Sequence, residues 1–119
     1  MKRKIDGDTI TVLDDYDNAV LTIKVTIEES AITIAAAGRM THDAAPEFED
    51  ELMAILTSGR DVVVDFSELE HISAPALEAL LSVQKLVDER RYKFSIKNIS
   101  KPVEEIFKQT GFIDLIAIH

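Results

Sequence analysis

The feature that most constrains the fold of this chain is a run of three valines, Val62–Val64, with a helical pattern on each side. β-Branched residues without polar alternation are typical of a strand that is buried on both faces. Residues 41–59 before this run and residues 74–91 after it carry apolar side chains at helical spacing. A buried strand between two helices indicates helices that cross over a parallel or mixed sheet. The pattern argues against an all-helical bundle and against a purely antiparallel sandwich.

Shorter patterns complete this α/β arrangement. Residues 20–28 alternate between apolar and polar side chains, which predicts a half-buried strand. We expect residues 9–13 to pair with it as a hairpin and to shield one edge of the sheet. The other predicted strands are residues 31–37, 93–97 and 113–118, and a third helix covers residues 100–110. Gly111 is expected to end that helix, with Phe107 and Phe112 in contact across its C-cap.

Length and composition predict one domain of modest size. The chain has 119 residues and no cysteine, which excludes disulfides and thiolate chemistry. We expect a mixed sheet of four to six strands with crossover α-helices, formed by residues 21–119, after an N-terminal extension of residues 1–20. The formal net charge of −9 disfavours nucleic-acid binding and favours a partner with a basic patch, unless the charge serves only solubility. No long apolar run is present, so direct membrane insertion is not expected.

No motif for catalysis or metal binding stands out. The histidines, His42, His71 and His119, are not spaced like metal ligands, and the four glycines are isolated rather than grouped in a phosphate loop. Asp65 ends the valine strand, where a carboxylate commonly accepts N–H groups of the following turn. We therefore expect no catalytic residue, no metal site and no cofactor, and we interpret the chain as not being an enzyme.

Four motifs, in order along the chain, carry a resemblance to a known family. They are Gly38–Thr41, Val62–Asp65 followed by Ile72–Leu77, Ser100–Pro102 and Thr110–Phe112. Together they resemble the STAS domain of bacterial anti-sigma factor antagonists. The resemblance implies a STAS-type fold and a non-enzymatic protein-interaction module of the bacterial cytoplasm, active in signal transduction and transcription regulation. It implies a protein partner, either an anti-sigma factor of the GHKL kinase type or another signalling protein.

The resemblance also implies a phosphorylation switch, and here the chain departs from the family. The serine or threonine that the partner kinase modifies corresponds to Pro75, which has no hydroxyl. Ser73, two residues earlier, is an alternative phosphosite. Three outcomes follow from this departure: constitutive binding, a switch moved to Ser73, or a scaffold role outside sigma-factor control. Pro75 equally suits the first turn of a helix that carries no switch.

The family's docking face would be the turn and helix start at residues 71–77 together with the loop at residues 39–43. The residues expected to dock a partner are Arg39, Met40, Thr41, His42, Asp43, His71, Ser73, Ala74, Pro75 and Ala76. One alternative is a STAS subunit accessory to a membrane transporter or a stress-signalling scaffold, with the same face permanently covered. Another is a small-molecule sensor or an enzyme with a pocket beside residues 71–77. The sequence leaves the oligomeric state open.

Overall fold

The computed structural model describes residues 2–89 and 93–116. Within these residues the chain forms six strands, three α-helices and one short 3-10 helix, Phe112–Asp114. The strands are β1 (Lys2–Asp6), β2 (Thr9–Leu13), β3 (Ala19–Ile27), β4 (Ala31–Met40), β5 (Asp61–Ile72) and β6 (Phe94–Lys97). The helices are α1 (Ala45–Leu56), α2 (Ala74–Asp88) and α3 (Lys101–Thr110).

The six strands form one mixed sheet whose spatial order is the chain order. β1 to β4 are joined as antiparallel neighbours, while β4, β5 and β6 run parallel to one another. The two parallel connections require crossovers, and α1 and α2 supply them. This confirms the mixed sheet with crossover helices that the valine run predicted.

The core lies between one face of the sheet and the helices. Alternate strand residues such as Ile23, Ile34, Val64 and Ile96 are fully buried in a single cluster with apolar residues of all three helices. The strand residues between them, mostly threonine, alanine and charged side chains, are exposed or half-buried. One face of the sheet is therefore packed and the opposite face is open.

The N-terminal hairpin is part of this sheet. β2 pairs with β3 as expected, and its Ile10 and Val12 are buried opposite Ile23 and Leu21. β1, which no sequence pattern predicted, pairs with β2 and occupies the sheet edge. β2 is thus an inner strand, and β1 rather than β2 is the edge. The proposed division of the chain at residue 20 stays a prediction.

Two boundaries in the middle of the chain differ from the expected ones. β4 continues past Gly38 to Met40, and β5 continues past Asp65 to Ile72. Gly38 has a φ of 99°, and a Cβ there would lie 2.6 Å from the Val20 carbonyl oxygen. Glycine therefore allows a bulge at this point, and the register shifts between Gly38 and Arg39 while the pairing with β5 goes on.

The C-terminal part contains one wrong prediction. Residues 112–114 form a 3-10 helix instead of the expected edge strand, because the N–H groups of Leu115 and Ile116 donate to the Phe112 carbonyl oxygen at 3.0 and 3.2 Å. Residues 117–118 of the expected strand lie outside the described residues. The predicted C-cap is confirmed, since Gly111 is left-handed and the rings of Phe107 and Phe112 lie 6.4 Å apart.

A candidate docking surface at the ends of β4 and β5

The two segments expected to dock a partner lie side by side in the structure. Arg39 and Met40, at the end of β4, pair with His71 and Ile72, at the end of β5. The pairing extends one residue further, because the Ser73 N–H donates to the Met40 carbonyl oxygen at 2.9 Å. We call the exposed part of residues 39–43 and 71–77 the docking surface. The parallel pairing of β4 with β5 is what brings its two segments together.

The first segment turns sharply into α1. Thr41 organises this turn, since its Oγ1 accepts from the Ala44 N–H at 3.2 Å and its carbonyl oxygen accepts from the Ala45 N–H at 2.9 Å. The N-cap residue of α1 is Ala44, and no side-chain hydrogen bond, including one from Asp43, caps the helix. His42 and Asp43 are exposed on the turn. The turn therefore presents an imidazole and a carboxylate beside the exposed Arg39.

The second segment is the start of α2. Ser73 is its N-cap with extended backbone angles, and Pro75 is in the first turn, where its missing N–H disturbs no helical hydrogen bond. The Ser73 side chain does not cap the helix, and its Oγ is buried without a hydrogen-bond partner among the described residues. The first helical bond runs from the Leu77 N–H to the Ser73 carbonyl oxygen at 3.1 Å.

Not every residue expected on the docking surface lies on it. Arg39, His42, Asp43 and Ala74 are exposed, while Thr41, His71, Ser73 and Pro75 are half-buried. Met40 and Ala76 are fully buried in the core, so their side chains cannot contact a docked partner, which corrects that part of the prediction. Period-two alternation buries Met40 along β4, and Ala76 lies on the inner side of α2. Gly38, whose bulge sets the position of Arg39, was not among the expected docking residues, although it begins the first of the four motifs that resemble the family.

The charges of the docking surface have no internal partner. Within residues 2–89 and 93–116, neither Arg39 nor Asp43 forms an ion pair. α2 has no acidic residue in its first turn, so no side-chain carboxylate there offsets the positive end of the helix dipole. Taken together, an exposed cation and a helix N-terminus without a side-chain cap favour an acidic group on whatever binds here.

A cavity exists elsewhere in the molecule. It has a volume of about 210 Å³ on the open face of the sheet, and none of residues 71–77 lines it. Its floor is formed by Ala35–Ala37, with Lys24, Asp65 and Glu68 around it. Asp65 accepts the Ser67 N–H at 2.9 Å, which confirms the structural role that its position predicted.

In the described part of the chain no three acidic or histidine side chains are grouped as metal ligands would be. No α-helix there is long and apolar enough to cross a membrane.

Comparison with known proteins identifies the family of this fold. The family model described as "Mlab, STAS domain" matches residues 23–117. This chain belongs to the STAS domain family. The match begins inside β3, so β1 and β2 lie outside it.

Individual relatives are anti-sigma factor antagonists. The anti-sigma-B factor antagonist of Bacillus subtilis (strain 168) is 21% identical over 98 residues, which covers 82% of this chain and 90% of that protein. The unphosphorylated form of the anti-sigma factor antagonist SpoIIAA superposes with a TM-score of 0.68 at 13% identity, covering 82% of this STAS chain and 87% of its own. An anti-sigma factor antagonist from Mycobacterium paratuberculosis has a TM-score of 0.70 at 16% identity, and the match covers 83% of this chain and 85% of that protein. These likenesses show the SpoIIAA-like fold.

Proposed function

We propose that this STAS domain is a non-enzymatic protein-interaction module of the bacterial cytoplasm that binds a signalling protein through its docking surface. The curated relative and two of the similar structures are anti-sigma factor antagonists, which supports a partner of the anti-sigma factor or GHKL kinase class. The observation that carries the proposal is the pairing of Arg39 and Met40 with His71 and Ile72. It joins two strand ends, far apart in sequence, so that they form one continuous surface before the starts of α1 and α2.

The chemistry of this surface suits close approach of a partner backbone. Ala74 is exposed at the first position of α2 and has only a methyl group, so little side chain separates a partner from the helix N-terminus. A helix N-terminus exposes N–H groups and the positive end of the dipole. An acidic side chain of the partner would be stabilised there, with Arg39 as a second contact.

We propose that Pro75, which has no hydroxyl, stands at the position of the family's phospho-acceptor, and that binding is therefore constitutive. The remaining hydroxyl of the turn belongs to Ser73, whose Oγ is buried. A kinase could modify Ser73 only after the side chain had turned outward. A phosphate on Ser73 would then place about two negative charges at the same helix start that a partner carboxylate would use.

A single charge at Ala74 tests the docking surface. The parent chain and the Ala74→Asp variant are immobilised separately, and proteins captured from the native host are identified by mass spectrometry. Affinity for the captured partner is then measured with both variants. We expect Ala74→Asp to weaken binding by about thirtyfold or more, because a desolvated and unpaired carboxylate costs on the order of 2 kcal/mol. Folding should be preserved, because a negative charge at a helix N-terminus is favourable.

Ala54→Asp is the matched control. Ala54 is exposed near the end of α1, about 14 Å along the helix from its first residue, so the same charge change there should leave affinity unaltered. Equal affinity of the parent and Ala74→Asp would remove the docking surface from the interface. Capture of transporter subunits instead of a signalling kinase would favour the transporter-accessory alternative.

Incubation of the parent with a captured kinase and ATP, followed by phosphosite mapping, tests constitutive binding. We expect no phosphate on residues 71–77. Stoichiometric phosphate on Ser73 would overturn constitutive binding.

A further inference from the structure

The outer edge of β1 is the longer and more exposed of the two edges of the sheet. All five residues of β1 are exposed, and no strand among the described residues pairs with its outer side. The strand at the opposite edge, β6, is shorter and has two of its four residues buried. An open edge presents unpaired N–H and C=O groups that another strand can pair with. β1 lies outside the residues that match the STAS family model.

β1 is held in place by contacts to distant parts of the chain. Lys2 forms an ion pair with Asp17, in the turn between β2 and β3, at 2.9 Å. On the other face of the sheet, Arg3 contacts Glu47 and Glu51 of α1 at 3.2 and 3.3 Å. Together with the ladder to β2, these contacts fix the strand and use its first two charges internally. The edge is thus presented in an ordered conformation.

The last three residues of β1 have no such partners. Within the described residues, Lys4 and Asp6 take part in no ion pair. Ile5, between them, has 64% of its surface exposed. Charges on an edge strand usually oppose pairing, but Lys4 and Asp6 have opposite signs and flank an exposed isoleucine, so this segment is complementary to an antiparallel copy of itself.

We propose that the β1 edge pairs with β1 of a second copy of this chain, in antiparallel register centred on Ile5. That register places Ile5 opposite Ile5 of the other copy and Lys4 opposite its Asp6. Two-fold symmetry repeats the Lys4–Asp6 pair, which gives two complementary ion pairs around one apolar contact. A register centred on Lys4 would place two lysines opposite each other, which is unfavourable. The two sheets become one continuous sheet, and the pairing does not depend on the docking surface.

Sedimentation velocity of the full chain over a range of protein concentrations tests the pairing. We expect a concentration-dependent dimer whose dissociation constant rises about tenfold in Asp6→Lys and in Lys4→Asp, since each change places like charges opposite each other twice. The double variant Lys4→Asp, Asp6→Lys restores complementary pairs and should return the dissociation constant to near the parent value. Melting curves confirm that each variant is folded.

Two isoleucines provide a matched control for the apolar contact. Ile27, at the end of β3, is 65% exposed, almost the same as Ile5. Ile5→Thr should weaken the dimer, and Ile27→Thr should leave it unchanged. Hydrogen exchange of residues 2–6 should slow with rising concentration in the parent and not in Asp6→Lys. A parent chain that is monomeric at every concentration overturns the proposal. A dimer whose dissociation constant is unchanged by both charge reversals overturns it as well. If the monomer instead pairs through β1 with another protein, the proposal is also overturned, and the edge is assigned to that partner.

Discussion

Two helices of this protein start with the same local sequence pattern and yet use it differently. α2 begins at Ser73-Ala74-Pro75 and α3 at Ser100-Lys101-Pro102, so each has a serine N-cap and a proline in the first turn. The Ser100 Oγ accepts the Val103 N–H at 3.4 Å and donates to the Leu69 carbonyl oxygen. The Ser73 Oγ is buried and does neither. Identical capping chemistry in the sequence therefore gives one capped helix and one without a side-chain cap.

The surroundings of each serine explain the difference. The Ser100 N–H donates to the Phe66 carbonyl oxygen at 3.2 Å, and the Leu69 carbonyl, also on β5, accepts its hydroxyl. This second bond orients the Ser100 Oγ so that its lone pairs face the helix. Ser73 directly follows β5 and is fixed through its backbone to Met40, with no comparable acceptor for its hydroxyl among the described residues. The uncapped start is the one on the docking surface, where a partner group could take the place of the cap.

The largest effect is expected one turn into each helix. Leu77, four residues after Ser73, is 3% exposed, whereas Glu104, four residues after Ser100, is half-buried and pairs with Lys108 at 3.3 Å. We expect Leu77→Asp to lower the free energy of unfolding by about 4 kcal/mol or more and to unfold much of the protein, because a charge would enter the core. Circular dichroism against temperature measures this loss.

The substitution at the equivalent position of α3 is Glu104→Ala. It removes a largely solvent-accessible ion pair between residues one helical turn apart and should cost about 0.5 kcal/mol or less. A Leu77→Asp variant that melts like the parent would show that the start of α2 is not anchored in the core, and the contrast between the two helices would fail.

An intermediate effect is expected for the capping serine of α3. Ser100→Ala removes the acceptor for the Val103 N–H and the donor to the Leu69 carbonyl. We expect a loss of about 1–2 kcal/mol in the free energy of unfolding, the usual cost of an N-cap together with a partly buried hydrogen bond. Urea denaturation at constant pH measures it. Ser100→Thr, which keeps the hydroxyl, should retain more of the stability than Ser100→Ala.

The smallest effect is expected for the serine of α2. Ser73→Ala breaks no hydrogen bond seen in the structure and removes a buried hydroxyl without a partner. The free energy of unfolding should therefore stay within about 0.5 kcal/mol of the parent value or rise slightly. The same urea experiment compares the two alanine variants directly. Equal losses for Ser73→Ala and Ser100→Ala would mean that both hydroxyls cap in solution, and the distinction between the two helix starts would disappear.

The sequence predicted the parts of the fold that depend on local periodicity. Val62–Val64 and the helical patterns around it identified the mixed sheet, and alternation in residues 9–13 identified β2 and its pairing with β3. β1 was missed because Lys2–Asp6 has no apolar alternation; the ladder to β2 and ion pairs to Asp17, Glu47 and Glu51 hold it. The final strand was wrong because an apolar run does not distinguish a strand from a short helical turn that buries Ile116.

The candidate site was predicted in outline for a similar reason. Its two segments followed from the STAS resemblance, but their contact depends on the register of β4 with β5, which no local pattern specifies. That register, shifted by the bulge at Gly38, places Arg39 on the surface and Met40 in the core. Ala76 is buried because α2 packs its inner side against the sheet and α1.

The sequence by itself determined the mixed α/β architecture, the absence of a hydroxyl at Pro75 and the positions of the three helices. Periodicity, residue chemistry and backbone preference are local properties, and they do not depend on what a segment packs against. Only the tertiary structure decided which serine caps its helix, which of the residues expected to dock a partner are exposed, and that β1 forms an edge of the sheet. Each of these depends on partners far apart in the chain, such as Leu69 for Ser100 and Met40 for Ser73.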